Sequence, residues 1–399
     1  MSFRNPRAAL ARDYAILAIA LALVGQWIAV HAAGVPLGPV AETVLPGLAI
    51  FGAATLLSWG AELAQLEISQ ALALAGLALV AVLPEYAVDM YLAWTAAREP
   101  AYAAYAAANM TGANRLLIGV GWSAVLLAYW MRTRQPAILI KPGRRLELFT
   151  LLVATCYAFV IPLKRTLSIL DTVFLLGLFV FYIRLAGRGH VEEPELAGPP
   201  ERLALLPRPV RRAVTALLFL LPAYAILISA EPFANGLLHS ARRLGMEEFI
   251  LIQWLAPLAS EAPEFIVAII FAIRRNPAAG LGTLISSKVN QWTLLVGLLP
   301  MVYSISGGHL EPLLLDGRQV EEFFLTAAQS LLGIVVLANL SFGVWEALLL
   351  LGLFGLQFIF PTTQIRLFLG YAYLVVTLAY LTSASFRRSA RELIRVGWR

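Results

Sequence analysis

Two glutamates, Glu85 and Glu264, each stand directly after a proline inside a long apolar run. The segments read Leu83-Pro-Glu-Tyr-Ala-Val-Asp89 and Ala262-Pro-Glu-Phe-Ile-Val-Ala268. A charged side chain at mid-membrane depth costs about 2.5–3.5 kcal/mol on insertion scales unless it is paired, protonated or hydrated by a pathway. The proline before it removes a backbone hydrogen bond and kinks the helix. Freed carbonyls and a carboxylate are hard oxygen ligands, suited to Na⁺ or Ca²⁺. A carboxyl group whose affinity for protons is shifted by its surroundings can also carry a proton. A single glutamate of this kind can equally be one half of an internal ion pair. Two at repeated positions point to an ion pathway.

The apolar run after each Pro-Glu pair carries a polar cluster. The first, 107–119, contains Asn109, Thr111, Asn114 and Arg115; the second, 281–297, contains Ser287, Lys288 and Gln291. Hydroxyls and amides there offer uncharged oxygens, with interhelical hydrogen bonding as the alternative use. Thr111 and Arg115 share a helix face, as do Ser287 and Gln291. Arg115 and Lys288 are expected near Glu85, Glu264, Glu261 and Asp89. There they would act as counter-charges that replace a bound cation and lower the number of ions held. The alternative is that both long chains reach away from the site. Asp171 and Glu346 begin equivalent runs, where negative charge suits a helix N-terminus.

The elements that position these residues follow from composition. Of 399 residues, 60% are hydrophobic and only 14% are charged, and the mean hydropathy is +0.78. Lipid, not water, is the solvent that tolerates such a surface. Apolar runs fall near 14–32, 42–62, 68–97, 101–131, 147–163, 167–187, 211–238, 244–273, 278–304, 320–340, 345–361 and 364–386. They predict an all-α polytopic membrane protein of about twelve helices. The first run follows Arg4, Arg7 and Arg12 and is expected as a retained helix, because its apolar core is longer than that of a secretory leader. Arginines crowd alternate connections and the C-terminal tail, which places both termini in the cytoplasm of a cell-membrane protein. The net charge of +6 is therefore topological charge facing lipid, not a nucleic-acid surface. The single cysteine, Cys156, makes no intrachain disulfide, and the four histidines form no metal-ligand pattern. No cofactor is implied. No His-Glu-x-x-His or Gly-x-Ser-x-Gly motif suggests an enzyme.

The Pro-Glu segments, and the pair Asp171-Thr-Val-Phe-Leu-Leu-Gly-Leu-Phe179 and Glu346-Ala-Leu-Leu-Leu-Leu-Gly-Leu-Phe354, recur about 175–180 residues apart. Five helices separate the equivalents, so the copies have opposite orientation, the inverted repeat of many secondary transporters. The expected organisation has a tail and extra helix over 1–41, a first repeat over 42–187 and a polar cytoplasmic linker over 188–210. A second repeat follows over 211–361, with a final helix and basic tail over 362–399. Pro-Glu followed on the next helix by a glycine-rich polar segment, twice, resembles the sodium/calcium exchanger superfamily. The resemblance implies two inverted five-helix repeats with one extra helix at each end, and small inorganic cations as partners. It also implies Glu85, Glu264, Ser287 and Gln291 as ion ligands; the polar residues Asn109, Thr111 and Asn114 and the added acid Glu261 complete the candidate set.

The chain departs from the family pattern before its Pro-Glu pairs, with Val80-Ala-Val82 in one repeat and Ala259-Ser-Glu261 in the other. The first polar helix aligns in two ways, one placing Leu117 at the later ligand position and the other placing Thr111 opposite Ser287 and Arg115 opposite Gln291. The expected function is antiport of Ca²⁺ or Na⁺ against Na⁺ or H⁺. The alternatives are the same fold turned to another solute, or a non-transporting membrane scaffold or sensor.

Overall fold

A computed structural model describes residues 6–66, 83–187, 196, 198–360 and 362–396. The start of the expected 68–97 run, with Val80-Ala-Val82, and most of the Pro/Gly-rich part of the linker lie outside the described residues. Among those described, nine helices are long and apolar enough to cross a membrane. Val344–Ile359 is a shorter apolar helix. The chain is an all-α polytopic membrane protein with only four short strands among the described residues. Leu163, Leu220, Leu227 and Phe368 are highly exposed on helix surfaces, which suits contact with lipid tails.

The helices are α1 Pro6–Ala32, α2 Pro39–Ala64, α3 Leu83–Ala96, α4 Ala101–Leu116, α5 Ser123–Thr133, α6 Arg145–Ala158, α7 Val160–Lys164 and α8 Ile169–Ala186. They continue with α9 Pro199–Leu203, α10 Arg208–Leu244, α11 Glu248–Ile273, α12 Pro277–Asn290, α13 Val296–Gly307, α14 Gly317–Leu337, α15 Val344–Ile359, α16 Thr363–Thr382 and α17 Ala384–Val396. The strands are β1 Ala137–Leu139, β2 Thr166–Leu167, β3 Leu313–Leu314 and β4 Ser341–Gly343. One compact unit holds residues 1–91 and 190–264, and another holds 92–189 and 265–399.

In the first unit α2 packs along α10, with α1 and α9 against α2. Leu56, Leu57, Trp59, Leu63, Leu218 and Ile226 form its apolar core. Small residues let the two long helices approach closely, the usual device where lipid supplies no hydrophobic drive between helices. A methyl group on Gly60 would meet Leu218, and one on Gly236 would meet the backbone of Glu42. The Thr43 and Ser240 hydroxyls, 2.8 Å apart, join the same helices.

In the second unit the strands report the internal symmetry. β1 pairs antiparallel with β4, joining Ala137 to Gly343 and Ile138 to Phe342. β2 pairs antiparallel with β3, joining Leu167 to Leu313 and Thr166 to Leu314. The renumbering that lays Ala137 on Leu313 turns the first sheet's pairs into the second's. Exchange of the halves thus leaves the pairing unchanged, as a two-fold relation requires. The same shift carries the Gly60–Leu218 contact of the first unit onto Gly236–Glu42.

Candidate functional site

Glu85 opens α3, in its first turn, and is 3% exposed, as is Glu261 on α11; Asp89 is fully buried. Glu264, one turn further along α11, is half-buried. All four acids belong to the first unit. Two registers relate them. The Pro-Glu motif lays Glu85 on Glu264. The shift shared by the strands and the Gly60/Gly236 contacts lays it on Glu261 instead, and also lays Ala101 on Pro277, the first residues of α4 and α12. The matching burial of Glu85 and Glu261 agrees with the second. The hydroxyl of Ser260, the one that the resemblance retains before Pro-Glu, turns back onto the carbonyls of Ala256 and Pro257 at 3.3 and 3.2 Å.

The polar clusters lie in the second unit, on α4 and α12, each running into a π-helical segment, Leu117–Trp122 and Gln291–Leu295. Such wider turns are rare and recur at functional sites; nothing in the local sequence announces them. Asn109, Thr111, Asn114, Ser287 and Gln291 are all buried. Of the two alignments open at the level of sequence, matching helix starts select the one with Thr111 opposite Ser287 and Arg115 opposite Gln291. Thr111 donates to the Ala107 carbonyl at 2.7 Å. Asn114 donates its amide to the Met110 carbonyl at 2.8 Å, and its side-chain oxygen accepts from Lys288 Nζ at 2.6 Å.

Arg115, 1% exposed, forms an ion pair with Glu322 on α14 and donates to Gln357 on α15 at 3.2 Å. Gln329 donates to the Arg115 carbonyl at 3.1 Å, and Arg366 lies 3.6 Å from Glu322. The sequence placed Arg115 among the Pro-Glu acids and passed over Glu322. An acid in the first turns of an apolar run looks like a helix-start charge until packing shows it covered.

A second cluster was also missed. Glu147 Oε1 on α6 accepts from Arg144 at 2.5 Å, from Ser286 on α12 at 2.7 Å and from Tyr182 on α8 at 3.4 Å. Asp171 and Glu346 accept the backbone N–H of Ser168 and Gly343, each at 2.6 Å, and so close the starts of α8 and α15. Among the described residues no three His, Cys, Asp or Glu side chains come together as a metal-holding group.

The fold and the paired polar helices define a membrane transporter built on an inverted repeat. The family model for sodium/calcium exchanger protein matches residues 43–187 and 214–363. The crystal structure of the H⁺/Ca²⁺ exchanger CAX is 42% identical, with a TM-score of 0.92 over 96% of this chain and 98% of that one. Two more distant structures share the fold. The sodium-calcium exchanger NCX_Mj has a TM-score of 0.54 at 19% identity, over 81% of this chain and 98% of that one. Native YfkE has a TM-score of 0.59 at 14% identity, over 91% and 99%. A comparison with curated protein sequences gave no match. The chain belongs to the sodium/calcium exchanger family.

Proposed function

We propose that the chain is a secondary active antiporter of the cell membrane, with both termini cytoplasmic, that moves Ca²⁺ against H⁺ by alternating access. Na⁺ is the second cation expected to use the pathway. The observation that carries this is the set of acids, Glu85, Glu261 and Glu264, on two proline-containing apolar helices. Carboxylates in that setting persist where they exchange a cation for a proton. Likeness to the H⁺/Ca²⁺ exchanger CAX supports the proton as counter-ion. Three carboxylates carry six oxygens, the lower end of the six to eight that Ca²⁺ takes, so neutral oxygens are needed wherever a carboxylate binds through one oxygen. Asn109, Thr111, Ser287 and Gln291 are the neutral oxygen donors carried by the second unit, where Asn114 gives its oxygen to the Lys288 ammonium.

An anionic solute fits less well. The Arg115 guanidinium is neutralised by Glu322, and the Lys288 ammonium is engaged by the oxygens of Asn114, so both cations already have buried acceptors.

The test is Ca²⁺ uptake into proteoliposomes under an imposed pH or Na⁺ gradient. Uptake driven by the pH gradient, and lost in both Glu85→Gln and Glu264→Gln, is expected. A scaffold or sensor predicts no uptake by folded wild type. Glu261→Gln distinguishes the two registers: a loss as deep as that of Glu85→Gln makes Glu261 its functional counterpart.

A further inference from the structure

Lys288 ends inside the protein. At 1% exposure, its ammonium donates to the side-chain oxygen of Asn114 at 2.6 Å and to the Asn114 carbonyl at 3.2 Å. It also lies 4.4 Å from the centre of the Trp292 ring. The amide nitrogen of Asn114 is occupied by the Met110 carbonyl, so oxygen is the atom turned to the lysine. Two oxygens and the face of an indole are what a desolvated monovalent cation needs: lone pairs at bonding distance and a ring whose quadrupole attracts positive charge.

The contact joins α4 to α12, the polar helices of the two halves. The renumbering that relates the halves lays Lys288 on Gly112, which has no side chain to repeat it. The two-fold arrangement therefore carries this charge on one side only. A long basic chain within reach of a membrane surface ordinarily extends to water. This one gives up hydration for an amide, a carbonyl and a ring.

We propose that the Lys288 ammonium is a tethered cation filling a monovalent-cation position between α4 and α12, formed by Asn114 and Trp292, so that the chain binds one monovalent ion fewer than it would with a neutral residue there. Lysine carries its charge through every cycle without leaving, so the position is closed to Na⁺ and K⁺. The consequence for exchange rests on the antiport reading above; the occupancy of the position does not.

The experiment is equilibrium binding of ²²Na⁺ and ⁸⁶Rb⁺ to purified, detergent-solubilised full-length chain. Wild type is compared with Lys288→Met, which keeps the length and removes the charge, and with Lys288→Arg, which keeps the charge. The expected result is one additional saturable monovalent ion per chain in Lys288→Met and none in Lys288→Arg. Equal counts in all three overturn the proposal, as does a gain in Lys288→Arg equal to that in Lys288→Met. If Lys288→Met is too unstable to purify, Lys288→Gln is scored by its unfolding temperature in KCl, NaCl and choline chloride at equal ionic strength. Stabilisation by K⁺ or Na⁺ over choline, beyond that of wild type, supports the assignment. The same unfolding temperature in all three salts overturns it. Absence of Ca²⁺ uptake by wild type would remove the antiport reading and leave the binding count standing.

Discussion

Glu147 and Glu322, matched by counting from the starts of their helical segments rather than in the strand register, which lays Glu147 on Phe323, are each met by an arginine, one partly exposed and one buried. Glu147 stands as far beyond Lys141 as Glu322 stands beyond Asp316, the residues that open their helical segments. Tyr182 follows Asp171 at the spacing by which Gln357 follows Glu346, and each meets its own cluster. Each acid also engages the polar helix of the other half, Glu147 through Ser286 and Glu322 through Arg115. Around Glu322 the neutralising charge is a guanidinium with a side chain only 2% exposed, whereas Arg144 beside Glu147 is 30% exposed. A buried ion pair gives up much hydration for its attraction, and removing one partner strands the other charge. A pair reached by solvent loses less. A two-fold backbone thus carries one buried, charge-locked clasp and one solvent-reached clasp in which an arginine and a hydroxyl share the acid.

The largest expected effect breaks the tight side. Arg115→Met takes from Glu322 its nearest cation, leaving the 3.6 Å approach of Arg366, and should destabilise the protein by about 3–5 kcal/mol, read as a lowered unfolding temperature in detergent. Adding Glu322→Leu should restore most of that loss. A double variant no more stable than the single one would mean that the two residues do not act as a pair.

Next comes the looser side. Glu147→Gln removes the charge but keeps an acceptor for Ser286 and Tyr182, so about 1–3 kcal/mol is expected. A cost matching that of Arg115→Met would erase the contrast between the clasps.

The helix starts give a smaller version of the same asymmetry. Asp171 accepts the N–H and hydroxyl of Ser168 at 2.6 and 2.9 Å and the hydroxyl of Tyr157 at 2.7 Å, and it pairs with Lys164. Glu346 takes the Gly343 N–H at 2.6 Å. Asp171→Ala should therefore exceed Glu346→Ala, the latter costing about 0.5–2 kcal/mol as an ordinary helix cap does. Equal losses would place the stability of Asp171 in its backbone contact alone.

The glycine pair sharpens the comparison at the level of backbone. A methyl on Gly236 would lie 2.7 Å from the carbonyl oxygen of Glu42, and one on Gly60 would lie 3.2 Å from Leu218. Overpacking costs about 1–3 kcal/mol, so Gly236→Ala is expected in that range and Gly60→Ala below it.

Much of the fold was legible without coordinates, because apolar run length acts locally. The expected runs at 14–32, 42–62, 101–131 and 320–340 lie within four residues of described spans at each end. The polar clusters were also visible, since an amide or hydroxyl in an apolar run stands out wherever its partner is. Register was harder. Pro-Glu offered one match and the glycines another, and a side-chain motif cannot say which backbone positions superpose. Strand pairing and helix starts can, because they count residues along both halves at once.

What the sequence by itself determined is the solvent, the element type, the repeated halves and the acids that membrane burial makes costly, all properties of composition over a helix length. The tertiary structure alone decided which charge answers which. Arg115 finds Glu322 and Lys288 finds Asn114 across long stretches of chain, because a buried charge in lipid must be satisfied by whatever packing brings within hydrogen-bond reach. That reach, unlike hydrophobicity or helix propensity, is written in no single segment.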